Sequence, residues 1–448
     1  MGIKFNPGLK AAGIDPSMVQ KLIDVQKAPV EAAKKRKEVT ITEKKEVEKL
    51  ATMLSDLDTA LNAIKTKYNF YKLKLDSSHP DIIDGSVSPG ALIGTYEFEV
   101  RSLARSEKEL AFGFPDKDQT PVGFGYMEIV KDDGEKFEVV VDPGMTLKDV
   151  ATRINDSAAG VKAIVVNTKY EPEPYRLLVM SEKSGKESRI FIDPDTTYLD
   201  FKEQVKGRNL DALFEDVPVT NSDNTMNELI DAVSLTARRS EPGTRVQVSI
   251  LHDVEETMKS IKTFVEKYNS VATFINGQFA QNPETGTYGL LSGDSSIKYV
   301  LRQLQSSFSA FGVAGKKFST VAEIGITTNS KTGQLNLDEN KVRAALAEDY
   351  EGVAKLFIQT ENSHGIAEIM SDKIKTFRDP AVGAMKSKVR GLERIIENQD
   401  KDIARRQKQL ENSEKNITRQ FTALEGTLAD LQSQGDFLKA RFAQEKKD

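Results

Sequence analysis

The stretch VEKLATMLSDLDTALNAIKTKY, residues 47–68, sets the reading of the whole chain. Val47, Leu50, Leu54, Leu57, Leu61, Ile64 and Tyr68 step by three and four, which predicts a helix with one apolar heptad seam. Upstream, Asp15 is a candidate N-cap and Pro16 stands at the first helical position. The helix is therefore expected from about Asp15 to Tyr68, with a kink or restart at Pro29.

The carboxyl end is related but sparser. Val382, Val389, Ile396, Ile403, Leu410, Ile417, Leu424, Leu431 and Leu438 recur at every seventh position. The second seam position is polar, with Gln399, Arg406, Ser413 and Gln420 three residues after their apolar partners. One apolar residue per heptad is too narrow a stripe to hold an isolated dimer. This helix needs partners on more than one side, and both chain ends are expected to order only on assembly.

Between the ends the pattern changes to short alternating strands: YKLKL, TYEFEVRSL, GYMEIV, KFEVVVD, VKAIVV, YRLLVMS and RIFID. Turn signals separate them at Ser88-Pro89-Gly90, Asp133-Gly134, Asp142-Pro143-Gly144 and Ser184-Gly185. One helix interrupts, TLKDVATRIND, with Thr146 as its cap. Helical spacing resumes at Val254, Met258, Ile261, Val265, Tyr268, Ala272 and Ile275. A second helix through Ile297, Val300, Leu301, Leu304 and Phe308 follows the caps Asp294 and Ser295. A hairpin turning at Lys331-Thr332-Gly333 precedes a helix capped by Asp338. The order is helix, β-rich insertion, helix.

The fold class expected is α+β: long terminal helices form a coiled-coil stem, and β-rich domains are inserted between the two helical parts. Four parts are expected. Residues 1–45 with 405–448 form a terminal helical leg, disordered before assembly. Residues 46–70 with 253–404 form an α-rich stem, residues 71–110 with 208–252 a β-rich domain, and residues 111–207 a second one.

Composition excludes several chemistries. The 448 residues include no Cys and no Trp, only three His, and 63 Lys+Arg against 68 Asp+Glu for a net charge of −5. Disulfides, thiolate nucleophiles and Cys-ligated metals are impossible. His79, His252 and His364 share no local spacing, so no metal and no cofactor are expected. The balanced charge gives no global attraction to nucleic acid. KKRK at 34–37 reads as a solvated helix face, because Glu38, Glu43, Glu46 and Glu48 interleave with the lysines that follow. Residues 1–18 contain no apolar h-region and no run of 18 apolar residues exists, so neither a cleaved signal nor membrane insertion is expected.

Catalytic constellations are missing as well. Gly315-Lys316-Lys317 and Gly185-Lys186-Glu187 lack the phosphate-loop spacing, and no GxSxG, HExxH or GxGxxG occurs. Asp193-Pro194-Asp195 lacks the pattern of a calcium loop and reads as an exposed turn. The expectation is that the protein is not an enzyme.

The order of segments resembles the flagellar hook-associated protein 2 family, the filament-capping proteins of bacterial flagella. GIDPSMVQKLIDVQKAPVEAAKKRKE is similar to that family's opening, and PGALIGTYEFEVRSLARSEK to its first β segment. TLKDVATRINDSAAGVKAIVVNTKYEPEPYRLLVMSEKSGKESRIFI resembles the hook-protein "IN" segment, with Ile154-Asn155 as its signature pair. This places the segment in the second β-rich domain. DAVSLTARRSEPGTRVQVSILHD with FVEKYNSVATFIN resembles the return strand and stem helix. GLLSGDSSIKYVLRQL, IGITTNSKTGQLNLDENKVRAAL and VAKLF complete the order. Two departures are local: Asn6-Pro7-Gly8 stands in an opening usually richer in Gly and Ser, and Ala232 stands where Gly is more usual.

The resemblance implies an annular cap at the distal tip of the extracellular filament, built as a ring-shaped homo-oligomer of about five copies. It implies export unfolded through the flagellar channel without a cleaved signal. The partners implied are flagellin, the hook–filament junction protein and an export chaperone, with flagellin folding and inserting beneath the cap. On this reading Leu50, Leu54, Leu57, Leu61 and Ile64 pair within the stem with Met258, Ile261, Val265, Tyr268 and Ile275. Ile403, Leu410, Ile417, Phe421, Leu424 and Leu431 are the filament or partner-helix contacts. The alternatives are another axial protein (flagellin or the junction protein) and a secreted coiled-coil adhesin that takes part in cell adhesion.

Overall fold

The computed structural model describes residues 16–131, 134, 136–156, 160–197, 199–308, 317–360 and 364–444. Helix α1 spans Pro16–Asn62 and α2 is one turn, Lys67–Phe70. Six strands follow: β1 Leu73–Ser77, β2 Ile83–Val87, β3 Gly94–Ser102, β4 Lys108–Ala111, β5 Gly123–Lys131 and β6 Lys136–Val141. After α3, Leu147–Asp156, come β7 Val161–Asn167, β8 Tyr175–Ser181, β9 Ile190–Thr197, β10 Phe201–Val205 and β11 Leu210–Phe214. Strands β12 Val217–Asn221, β13 Thr225–Ile230, β14 Val233–Ala237 and β15 Val246–His252 complete the insertion. The chain then forms α4 Val254–Phe279, α5 Ser295–Ser306, the hairpin β16 Ile326–Thr328 and β17 Leu335–Leu337, and α6 Glu339–Glu348. It ends with α7 Tyr350–Phe357, α8 Ile366–Arg378 and α9 Ala384–Gln444. The fold is α+β, with helices at both ends flanking a β-rich region.

Two compact units result: Met1–Thr66 with Lys259–Asp448, and Lys67–Met258. In the second unit every strand pairing is antiparallel. The sheet β1-β15-β3-β11-β12 and the sheet β13-β14-β2 enclose one core, containing Phe98, Val100, Leu210, Leu235, Val246 and Val248. Alternation makes this possible: Val246, Val248 and Ile250 point inward along β15, while Gln247 and Leu251 point outward. A second core joins the sheets β10-β4-β8-β7 and β6-β5-β9 to α3, around Met127, Ile129, Val150, Ile154, Leu177 and Val179.

Helix α3 starts where the sequence predicts. The Thr146 hydroxyl accepts the Asp149 N–H at 3.4 Å, and the Asp149 carboxylate accepts the Thr146 N–H at 3.0 Å. Its signature pair divides the labour. Ile154 is buried in the core, while the Asn155 amide bonds both backbone groups of Ala163, at 2.9 and 2.8 Å, and ties the helix to β7.

Several expectations change. Pro29 does not interrupt α1, which runs through it. The lost backbone hydrogen bond is offset by burial of Ile23 and Val30 on either side. The helix ends at Asn62, where Ala63 and Ile64 bond back to carbonyls three residues earlier. The seam therefore stops at Ile64, Tyr68 is exposed, and Phe70 is buried instead. Asp193-Pro194-Asp195 is not a turn but lies within β9, paired with β5. Proline is tolerated because β9 is an edge strand. Val382 precedes α9 and is exposed, so the seven-residue stripe begins at Val389. Asp15, Asp133 and Gly315-Lys316 lie outside the described residues.

Candidate assembly surface

The first unit is built on α1. Leu50, Leu54, Leu57, Leu61 and Ile64 are completely buried, and each such side chain contributes about 1.5–3 kcal/mol. On α4, Ile261, Val265, Tyr268 and Ile275 are buried too, and Met258, the last residue of the second unit, is also buried. Three contacts flank these rows: Asp56 with Lys267 at 3.1 Å, Lys49 over the Phe274 ring at 5.2 Å, and Glu46 with Gln278 at 3.4 Å. As numbers fall along α1 they rise along α4, so the helices run antiparallel. Tyr268 donates to the Gly333 carbonyl at 3.0 Å, and burial pushes its phenol pKa up. Helix α8 adds a polar pin the sequence reading missed: buried Ser371 donates to Asp58 at 2.6 Å and accepts from Lys65 at 3.4 Å.

Helix α9 has 61 residues and is about 90 Å long at ~1.5 Å per residue. It also runs antiparallel to α1, joined by Lys44–Glu393 at 2.9 Å, Lys37–Asp400 and Lys27–Glu414 at 3.9 Å. The hydrogen bond between Lys44 and Glu393 raises the lysine pKa and lowers that of the glutamate. Burial works against the charge on Lys388. Glu43 at 2.9 Å and Asp294 at 3.2 Å outweigh it, and the pKa is raised. Lys37 in the basic run thus serves an interhelical ion pair, and Lys34 pairs locally with Glu31.

The seven-residue stripe of α9 is more buried in its first half than in its last, although Ile396 is half-buried between Val389 and Ile403. Val389, Leu392 and Ile403 are buried, while Leu410, Ile417 and Phe421 are half-buried. Leu424 is 40% exposed and Leu431 57%. Lys27–Glu414 is the outermost of these three ion pairs. Beyond it, Leu22 and Val25 on α1 and Phe437 and Leu438 on α9 are also exposed. The seven-residue count found Leu424, Leu431 and Leu438. It missed Leu22 and Val25, whose three-residue spacing beside Ile23 was the available signal.

The histidines have ordinary surroundings. His79 meets the Ser78 hydroxyl at 3.0 Å, His364 meets Glu368 at 2.9 Å, and His252 packs edge-on against Tyr71. Among the described residues no group of three or more His, Asp or Glu is placed to hold a metal ion. No described helix is long and apolar enough to cross a membrane.

Family models described as the flagellar hook-associated protein 2 N-terminus and C-terminus match residues 12–107 and 208–433. The chain belongs to the flagellar hook-associated protein 2 family. Its members form the cap of the flagellar filament, sit at the filament tip and assemble as oligomers. A relative in this family, the B-type flagellar hook-associated protein 2 of Pseudomonas aeruginosa, is 27% identical over 433 residues, covering 88% of each chain. The Escherichia coli flagellar hook-associated protein 2 is 22% identical over 378 residues, covering 79% of this chain and 80% of its own. In fold, the chain is similar to the crystal structure of the flagellar cap protein FliD D1-D2-D3 domains from Escherichia coli. The TM-score is 0.62 at 23% identity, covering 78% of this chain and 99% of that one. The family is one of structural cap proteins, and the interhelical ladder and graded stripe described above belong to such a protein.

Proposed function

We propose that this chain promotes folding and insertion of exported flagellin beneath a ring of its own copies and prevents flagellin loss, and so supports motility. The observation that carries the reading is the graded burial of α9, from Ile403 at 8% exposed to Leu431 at 57%. A leg that must grip a growing filament and release it needs small apolar patches, and one leucine per heptad supplies them. Flagellin, the hook–filament junction protein and an export chaperone are the partners on this reading, and the chain leaves the cell unfolded through the flagellar channel. Lack of cysteine suits that route, since no bridge must form on arrival. The four-part layout is part of the proposal; the two separate cores of residues 67–258 support it.

The test is complementation of a strain lacking its own cap, with a labelled copy of this chain located by electron microscopy. Label at filament tips and flagellin retained on the cell are the expected results. Label along the filament shaft would overturn the reading in favour of another axial protein.

A further inference from the structure

A cavity of about 760 Å³ lies where the β3–β4, β8–β9 and β10–β11 connections meet. Arg105, Lys186, Arg189, Lys206 and Arg208 line it, and no carboxylate is among its described lining residues. Backbone bonds hold the cations together. Arg105 and Arg208 form an antiparallel bridge, each N–H reaching the other's carbonyl at 2.9 and 3.1 Å. The Gly185 N–H reaches the Arg105 carbonyl at 3.2 Å, and the Lys186 N–H reaches the Asn209 side chain at 2.6 Å. Arg189 is compensated internally, because buried Glu107 lies 3.5 Å from its Nε and also accepts the Gly207 N–H at 2.5 Å. Arg105, Lys186, Lys206 and Arg208 are exposed, with no ion pair among the described residues. Like charges directly opposed across strands are unfavourable. Arg208 also donates its Nε to the Leu103 carbonyl at 3.1 Å, and the four exposed cations together make the mouth of the cavity a basic patch suited to an acidic surface.

The same unit presents the complementary pattern. On the outer face of the sheet β6-β5-β9, Glu138, Glu128 and Asp193 stand in one register row across three strands. Lys136 pairs with Glu128 at 2.5 Å, and Glu138 and Asp193 have no ion pair among the described residues. Exposed Tyr126 and Val140 flank the row on one side and Phe191 on the other. Three strands at ~4.8 Å spacing make the row about 10 Å long, close to the roughly 9 Å width of a cavity of that volume.

We infer that the acidic row of one copy seats in the basic cavity of the next. Because the two patches are distinct, the contact can repeat head-to-tail from copy to copy, and a ring forms where the rotation between copies closes. It rests on the oligomeric cap reading above and supplies that reading with a specific contact.

Sedimentation velocity on the full chain tests it. Arg105→Glu/Arg208→Glu and Glu128→Lys/Glu138→Lys should each weaken self-association about tenfold or more, and salt should weaken the wild type. An equimolar mixture of the two variants should associate again, because every cavity then meets a row of opposite charge. If the arginine variant loses its fold by circular dichroism, Lys186→Glu/Lys206→Glu replaces it with the same expectation. Wild-type association that no reversal alters would overturn the inference and leave the cap reading intact. Failure of folded variants to rescue each other would overturn it too, as would inorganic phosphate binding at the cavity with association unchanged. A wild type that stays monomeric at every concentration and fails to cap would sink both.

Discussion

Gln399 on α9 donates its side-chain amide to the Thr40 hydroxyl on α1 at 3.0 Å, and Thr40 in turn donates to the Arg36 carbonyl at 3.1 Å. Thr40 stands one heptad before Val47, so it holds a seam position of α1, just as Gln399 holds the second seam position of α9. Two polar seam residues meet where apolar ones would otherwise pack. A polar pair at a seam fixes register, because any slip leaves both groups buried against carbon. The polar second position of α9 is therefore not only a weakness of the stripe.

Removing one partner should cost more than removing both. Thr40→Val leaves the Gln399 amide half-buried without its acceptor and is expected to lose about 1–2 kcal/mol. Thr40→Val/Gln399→Leu should recover most of that loss. Urea unfolding followed by helical circular dichroism, read as a double-mutant cycle, measures the coupling. Additive losses, with the double variant losing the sum of the two single variants, would show that the pair carries no specific energy.

The hairpin between β13 and β14 offers a stabilising change. Ile230 pairs with Val233, so Asp231 and Ala232 form a two-residue loop, and Ala232 adopts φ +60°. A Cβ in the left-handed region costs roughly 1–2 kcal/mol, which glycine avoids at some cost in unfolded-state entropy. Ala232→Gly should raise stability by about 0.5–1 kcal/mol, visible as a shift of a few degrees in thermal unfolding of the β-rich unit. A drop in melting temperature would contradict the assigned turn.

A second buried acid gives the β-rich unit a pH dependence. Glu109 on β4 is 8% exposed, lies directly across from Glu203 on β10, and follows Glu107 by two residues. Burial, then repulsion from Glu107 and Glu203, pushes its pKa up from 4.5 to about 7. The folded state thus keeps a proton that the unfolded chain releases. Stability from this group declines as pH rises from 4.5 through 7 and is level above that. Glu109→Gln should stabilise the protein at pH 8 by about 1 kcal/mol, below the full linkage value because solvent screens part of the repulsion. At pH 4 the gain should vanish. A gain independent of pH would point to packing instead.

Legibility from sequence followed the kind of signal available. The seam at Leu50–Ile64 and the capped helix at Thr146 were plain because apolar spacing and a hydroxyl–carboxylate pair at i, i+3 each leave a local mark. The Thr40–Gln399 pair leaves none, since two polar residues 359 positions apart interrupt a hydrophobic period rather than extend it. Asp193-Pro194-Asp195 looked like a turn because all three residues favour one. Pairing with β5 overrode that preference, as tertiary partners often do for strands. The basic cavity was hidden for a related reason: its cations come from three separate segments and form a patch only after the β-rich unit folds.

The two leucine rows of the helical unit should respond to mutation in opposite ways. Leu57 is completely buried, and Leu57→Ala is expected to cost about 2–5 kcal/mol, lowering the amount of folded protein before any assembly step is reached. Leu424 and Leu431 are 40% and 57% exposed, so Leu424→Glu/Leu431→Glu removes little burial within one copy. Its unfolding should stay within about 0.5 kcal/mol of wild type. If those leucines contact the filament, the double variant should secrete normally yet fail to cap, with flagellin leaking into the medium and swimming lost. Charge at both sites costs most where a partner would desolvate it. Normal swimming with an unchanged unfolding curve would remove these two residues from the contact surface, and the exposed Leu22 and Val25 of α1 would then be the next pair to substitute.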